Sequence, residues 1–186
     1  MILSDREIKS HIKEKRIIVN PSPDYKTQLS GASLDLRLGR EFRVFDYAQA
    51  TEINPKKMNE CTRLVKLKDG SPFVVHPGEF VLGITHEVVG IDNTLCARID
   101  GKSSIGRIGI VVHSTAGHVN PGWKGKLTLE ISNIGRIPVL LYPGMRICQL
   151  VFEKLTSIAE NSYEKKGKYA GQLGPQESKI SREKIK

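Results

Sequence analysis

The chain has only three cysteines in 186 residues, Cys61, Cys96 and Cys148, and no CxxC pair. They are too few and too scattered for a disulfide frame or a thiolate zinc site, so they fit buried thiols in a reducing cytoplasm. Aromatic residues make up 6% of the chain, with a single tryptophan. That scarcity weighs against a basic β-barrel that binds nucleic acid, because single-strand binders stack bases on aromatic platforms. No apolar run approaches the length of a membrane span, and charge arrives at Asp5, Arg6 and Glu7, too early for a signal-peptide core. Internal repeats and low-complexity blocks are also missing. The expectation is a soluble, unexported protein without a membrane partner.

The length suits one domain, long enough to bury a core without disulfide or metal support. The net charge of +9 favours anionic partners, although charge alone does not separate nucleic acid from phosphorylated metabolites. Between Tyr163 and Lys186 seven Lys or Arg face three Glu, so four of the nine excess positive charges lie in this stretch. It is rich in Lys, Gly and Gln and poor in aliphatics, so it cannot build a core of its own. The expected organisation is a domain over 1–161 and a mobile tail over 162–186, ordered by a ligand if at all.

Ser4 with Glu7 three residues later makes a capping box, and Ile8 and Ile12 give one short amphipathic helix to about Lys15. Beyond it come short alternating or apolar runs divided by Gly, Pro, Asn and Asp. Strands are expected at Ser33–Leu38, Phe42–Phe45, Phe80–Ile84, Leu95–Ile99, Ile108–His113, Lys126–Ser132, Val139–Leu141 and Ile147–Phe152, with turns at His76-Pro-Gly and Tyr142-Pro-Gly. Many short strands at such spacing imply a mainly β fold, a jelly roll or barrel rather than a βαβ array.

Three stretches carry chemistry. Gly101-Lys-Ser103 ends like a Walker A loop, but the leading glycine would stand where Cys96 stands, so that reading fails. What remains is a turn offering Lys102, the hydroxyls of Ser103 and Ser104, the backbone around Gly106 and the guanidinium of Arg107, a set suited to phosphate oxygens or to an ordinary polar turn. Glu130 alternates with Leu127, Leu129 and Ile131, which puts Thr128, Glu130 and Ser132 on one face. Periodicity alone favours solvent there; a cleft would instead raise the pKa of Glu130 and suit it to proton transfer near neutral pH. In the tail, Tyr163, Lys168 and Gln172 stand among Gly167, Gly171 and Gly174, either a solvated end or a flap over a polyphosphate. His113 and His118 have no thiol or carboxylate at ligand spacing. The H-x-E and P-C-x-x-C signature of zinc-dependent base deaminases is missing as well, so no zinc and no protein-held metal is expected.

Taken together, Gly31-Ala-Ser-Leu-Asp-Leu-Arg-Leu-Gly39, His76-Pro-Gly-Glu79, Gly101-Lys-Ser-Ser-Ile-Gly-Arg107, Asn120-Pro-Gly-Trp123, Thr128-Leu-Glu130, Pro143-Gly-Met145 and Gly167-Lys-Tyr169 through Gln172 closely resemble the dCTP deaminases of the dUTPase-like superfamily. The match runs in order over nearly the whole chain. The resemblance implies a distorted jelly-roll or β-barrel subunit, a homotrimer with sites at subunit boundaries, and hydrolytic conversion of dCTP to dUTP and ammonia. By that likeness Glu130 moves protons between water, ring N3 and the leaving amine, Ser103 helps place the water, and Arg107 supports the polar network beside the base. Lys102, Ser104 and the backbone near Gly106 would bind phosphate, with Gln149, Tyr163, Lys168 and Gln172 completing the enclosure. Ile105, Asn120, Thr128 and Leu129 complete the substrate-binding set. Mg²⁺ would ride on the substrate triphosphate rather than sit in a protein cage, and dTTP is the feedback inhibitor to expect.

Two positions depart from the simplest match. The family has Asp before Pro-Gly where this chain has Asn120, which can accept a hydrogen bond from the deoxyribose hydroxyl but cannot take a proton. Thr115-Ala-Gly117 resembles the bifunctional members, which also cleave dUTP to dUMP and pyrophosphate, whereas His118 matches neither subgroup. The expectation from the missing carboxylate is mainly dUTP, with slow dUMP formation at most. The alternatives are a bifunctional deaminase and diphosphatase, or a plain dUTPase.

Overall fold

The chain opens on the helix its capping box requires, α1 (Asp5–Lys13). Ser4 N–H donates to Glu7 Oε2 at 2.8 Å and Glu7 N–H to Ser4 Oγ at 3.4 Å, and the first of these bonds does most to hold the Glu7 carboxyl below its ordinary range. Ile8 is fully buried. The helix stops short of the expected Lys15 because that residue turns left-handed, with φ of 61°. The protein is described here by a computed structural model covering residues 1–48, 52–56, 61–113 and 115–183.

The described strands, with three further short helices, run β1 (Ile17–Asn20), α2 (Tyr25–Gln28), β2 (Leu29–Ser30), β3 (Ser33–Arg37), β4 (Glu41–Phe45), β5 (Thr62–Lys66), β6 (Phe73–Val75), β7 (Phe80–Ile84) and β8 (Val88–Ile91). Then come β9 (Leu95–Gly101), α3 (Ser103–Gly106), β10 (Ile110–Val112), β11 (His118–Val119), β12 (Lys124–Gly125), β13 (Thr128–Asn133), β14 (Val139–Leu141), β15 (Arg146–Lys154) and α4 (Tyr163–Lys166). Every pairing is antiparallel. Among the described residues two five-stranded sheets, ordered β10-β13-β7-β4-β5 and β11-β9-β15-β3-β2, are joined by the small sheets β1-β8-β12 and β14-β6. This is the mainly β, jelly-roll-like class read from the sequence.

Between the sheets lie Leu34, Leu36, Phe42, Val81, Leu129, Ile131, Leu150 and Phe152, all fully buried. Each sheet sends alternate side chains inward, so one continuous core fixes the register of both. The expected strand at Ile108–His113 shortens to Ile110–Val112, because Gly109 and His113 take positive φ of 85° and 64° at its two ends. Strands β1, β2, β5, β6, β8, β11 and β12 were not foreseen; each is two to five residues long, too short for its alternation to stand out in the sequence.

The segment read as a polar, mobile tail lies against the domain as far as Glu177, which bonds Arg43. Lys126 N–H donates to Gln172 O at 2.9 Å and Gly171 N–H to Lys124 O at 2.9 Å, which adds the tail alongside β12. Gly125 allows this approach, because a Cβ there would lie 2.8 Å from the Gln172 carbonyl oxygen. The anchor is aromatic: the Tyr163 ring tilts onto Trp123 with centroids 5.3 Å apart.

Candidate active site

Glu130 is on β13, opposite Leu82 of β7. The alternation that buries Leu129 and Ile131 turns Thr128 and Glu130 the other way, and that face is a cavity of about 530 Å³ rather than solvent. Glu130 Oε2 accepts a hydrogen bond from the Thr115 hydroxyl at 2.7 Å. The carboxylate is thus held at one oxygen, and among the described residues nothing bonds the other, which can meet a water or a ring nitrogen. The turn carrying Thr115 is closed from both sides: His113 N–H donates to Glu130 O at 2.7 Å, and the His113 ring contacts Ala116 O at 2.8 Å. Ile99 N–H donates to Gly117 O at 2.7 Å, and a Cβ on Gly117 would lie 2.9 Å from the Ile99 carbonyl oxygen. Only glycine lets this turn sit so close to β9.

Asn120 and His118 reach the same cavity, as do Trp123, Tyr163, Tyr169 and Gln172. Asn120 opens a tight turn in which Trp123 N–H donates to its carbonyl at 3.1 Å and Gly122 has φ of 77°. Gln172 Nε2 donates to Lys126 O at 2.7 Å and to Thr128 Oγ1 at 3.1 Å, while its amide oxygen is buried without a partner. Glu177 also lines the cavity. It is held by Arg43 of β4 at 3.3 Å, and Arg43 Nε donates to Pro175 O at 2.9 Å.

The second group of expected residues lies elsewhere. Lys102, Ser103, Ser104, Gly106 and Gln149 line a separate, open cavity of about 510 Å³ with Gly101 and the strand β10. The two cavities share no lining residue. Lys102 Nζ reaches Asp35 Oδ2 at 2.5 Å, and Arg146 Nη1 reaches the same oxygen at 3.2 Å. Gln149 Oε1 accepts from Ser33 Oγ at 2.8 Å. Cys148, fully buried behind this cluster, has its thiol pushed up by burial first and by Glu87 and Asp35 next, so it stays protonated and inert.

One chain therefore brings Glu130, Thr128, Asn120, Tyr163 and Gln172 together, and Lys102, Ser103, Ser104, Gly106 and Gln149 together, but not the two sets with each other. Arg107 is exposed and lines neither cavity, and Lys168 is ion-paired to Glu183 outside both. The side chains of Ile105 and Leu129 are in the core, which leaves only their backbones for a ligand. Sequence reasoning gave no separate role to Asp35, which stood only within an expected strand and a motif, or to Arg43, which nothing in the sequence ties to the tail. Among the described residues no three His, Cys, Asp or Glu side chains gather at metal-ligating range, and no helix is long and apolar enough to cross a membrane.

A pocket that carries the Glu130 carboxylate and a separate cradle lined by Lys102 and the hydroxyls of Ser103 and Ser104 thus lie on one antiparallel β scaffold. The chain belongs to the dCTP deaminase-like family, whose model matches residues 2–155. It is 49% identical over 185 residues to a protein of Dictyoglomus turgidum named "dCTP deaminase, dUMP-forming", with 97% of this chain and 95% of the relative covered. It is 47% identical to a Haloarcula marismortui protein named "dCTP deaminase", with 97% and 95% covered. The crystal structure of 2'-deoxycytidine 5'-triphosphate deaminase from Agrobacterium tumefaciens superimposes with a TM-score of 0.64 at 26% identity, over 82% of this chain; the chain spans 48% of that longer one.

Proposed function

We propose that the protein converts dCTP to dUMP in two hydrolyses: dCTP and water give dUTP and ammonia, then dUTP and a second water give dUMP and pyrophosphate. The turn Thr115-Ala-Gly117, packed against β9 so closely that no side chain fits at Gly117, carries this reading. It is the turn that resembles the bifunctional members, and a relative 49% identical bears the name dUMP-forming. That combination outweighs the expectation of dUTP as the main product, which rested on Asn120 alone. Asn120 can still receive the deoxyribose hydroxyl at the mouth of the cavity.

In the first hydrolysis Glu130 takes a proton from water as the oxygen attacks C4 and passes it to N3; it then moves the proton of the new C4 hydroxyl to the amine, which leaves as ammonia as the C4–N4 bond breaks and the C4 carbonyl forms. Thr115 keeps the carboxylate oriented by its hydrogen bond of 2.7 Å. Trp123 and Tyr163 supply an apolar wall for the ring and sugar, and Gln172 closes the pocket from the tail. Lys102, Ser103, Ser104 and the backbone at Ile105 and Gly106 hold the triphosphate, with Mg²⁺ carried in on the substrate's phosphates. Because the two sets line different cavities of one chain, the working site takes its carboxylate pocket from one copy and its cradle, with Ser103 and Arg107, from the next. A closed ring of three copies satisfies this, since a head-to-tail contact whose rotation closes gives every copy both neighbours.

Light scattering together with anion-exchange separation of products from dCTP tests both parts. A trimer that forms dUMP, pyrophosphate and ammonia is expected. A monomer with full activity would overturn the shared site, and dUTP as the end product would overturn the second hydrolysis.

A further inference from the structure

Strand β3 reads as an alternating strand, with Leu34 and Leu36 facing the core and Ser33 and Asp35 turned the other way. Yet Ser33 is 7% and Asp35 2% exposed. A carboxylate taken out of water to this extent costs several kcal/mol unless charges compensate it, so its place needs a reason beyond the fold. Asp35 pairs in register with Gln149 of β15, and Lys102 and Arg146 both reach its Oδ2, at 2.5 Å and 3.2 Å. Its Oδ1 is buried without a hydrogen-bond partner. Two cations against one carboxylate leave the cluster one positive charge in excess. Lys102 is also the only member of the three that lines the cradle cavity.

We infer that Asp35 is the positioning residue of the cradle: it fixes the Lys102 ammonium at the cavity wall, while Arg146 offsets the carboxylate so that the excess charge faces an incoming phosphate. A lysine on its four-carbon stem samples many rotamers, and each one frozen in advance is an entropic cost removed from binding. An ammonium has three N–H donors. One goes to Asp35, and two remain for phosphate oxygens. The same face of β3 treats Gln149 alike: Ser33 Oγ donates to Gln149 Oε1 at 2.8 Å, which leaves the amide nitrogen pointing to Gly101 O at 3.3 Å beside the cavity. A strand buried on both faces thus presets the two longest side chains of the cradle without itself lining it.

This inference rests on the reading of the cradle as the triphosphate site. Contacts to the triphosphate are the same in ground and transition states of a reaction at the base, so their loss raises KM and spares kcat. The test measures deamination kinetics for the wild-type protein, Asp35→Asn, Lys102→Met and the double variant. Asp35→Asn is expected to raise KM for dCTP about tenfold with kcat within about threefold, and to add nothing further in the Lys102→Met background. An unchanged KM, or effects that multiply in the double variant, would show that Asp35 does not act through Lys102. Should Asp35→Asn fail to fold, Arg146→Gln at its half-exposed site carries the test. Loss of the excess charge is expected to raise KM about threefold or more, and an unchanged KM overturns the proposal. If the wild-type protein makes no product from dCTP, the functional reading falls. The same variants are then compared by calorimetry with inorganic tripolyphosphate, where about tenfold weaker binding by Asp35→Asn supports its positioning role and equal binding refutes it.

Discussion

Replacing Gly117 with alanine adds one methyl group whose carbon would lie 2.9 Å from the carbonyl oxygen of Ile99, whereas ordinary contact begins at 3.4 Å. The obstacle is backbone in the strand β9, which is paired on both sides, so the turn has to give by the missing half ångström. Such overpacking costs about 1–3 kcal/mol, which in a domain of this size lowers Tm by about 3–10 °C. The Ile99 N–H to Gly117 O bond of 2.7 Å stretches, and the Thr115 hydroxyl moves with its turn away from Glu130 Oε2, now 2.7 Å distant. Glu130 itself stays, because β13 pairs with β7 and β10. The residues carried by the turn are therefore displaced more than the proton-transferring carboxylate. Gly117→Ala is expected to slow dUMP formation about tenfold and deamination by no more than about threefold. Thermal unfolding and timed product analysis measure both. Unchanged Tm with an unchanged ratio of dUMP to dUTP would refute the steric reasoning.

Glu130→Gln keeps the shape and the bond from Thr115 but removes the proton acceptor, so dCTP binding should survive while turnover falls at least about a hundredfold; near-normal turnover would remove Glu130 from the mechanism. Asn120→Asp supplies a carboxylate at the turn and should raise the rate of dUMP formation while deamination stays within about twofold, so a variant with slower diphosphatase activity would count against a role for charge there. Arg43→Ala deletes the bonds to Pro175 O and Glu177, worth together about 1–2 kcal/mol at a partly exposed site. Trypsin should then cut after Lys179 or Arg182 several times faster while Tm changes little, and equal cleavage would mean that Arg43 does not hold the tail.

How far the sequence could be read depended on whether a pattern was local. Ser4 and Glu7 announce α1 because both halves of a capping box fall within four residues. The apolar alternation around Glu130 placed it on the non-core face of β13, and the identity of that face was settled only by Trp123, Tyr163 and the tail folding over it. Asp35 drew no role from the sequence for the opposite reason. Its carboxylate is covered by Lys102 and Arg146, which reach it across 67 and 111 residues of chain. The tail lacks aliphatics, so composition alone leaves it unanchored. Its hold comes from backbone bonds to Lys124 and Lys126 and from Arg43, none of which leaves a mark in composition.

The measurement closest to the central claim follows dCTP consumption and product appearance together at a single time course, by anion-exchange separation with parallel ammonia determination. Ammonia, dUMP and pyrophosphate rising in equal amounts, with dUTP never more than a minor species, is the expected result. Accumulation of dUTP in step with ammonia, without dUMP, would contradict it.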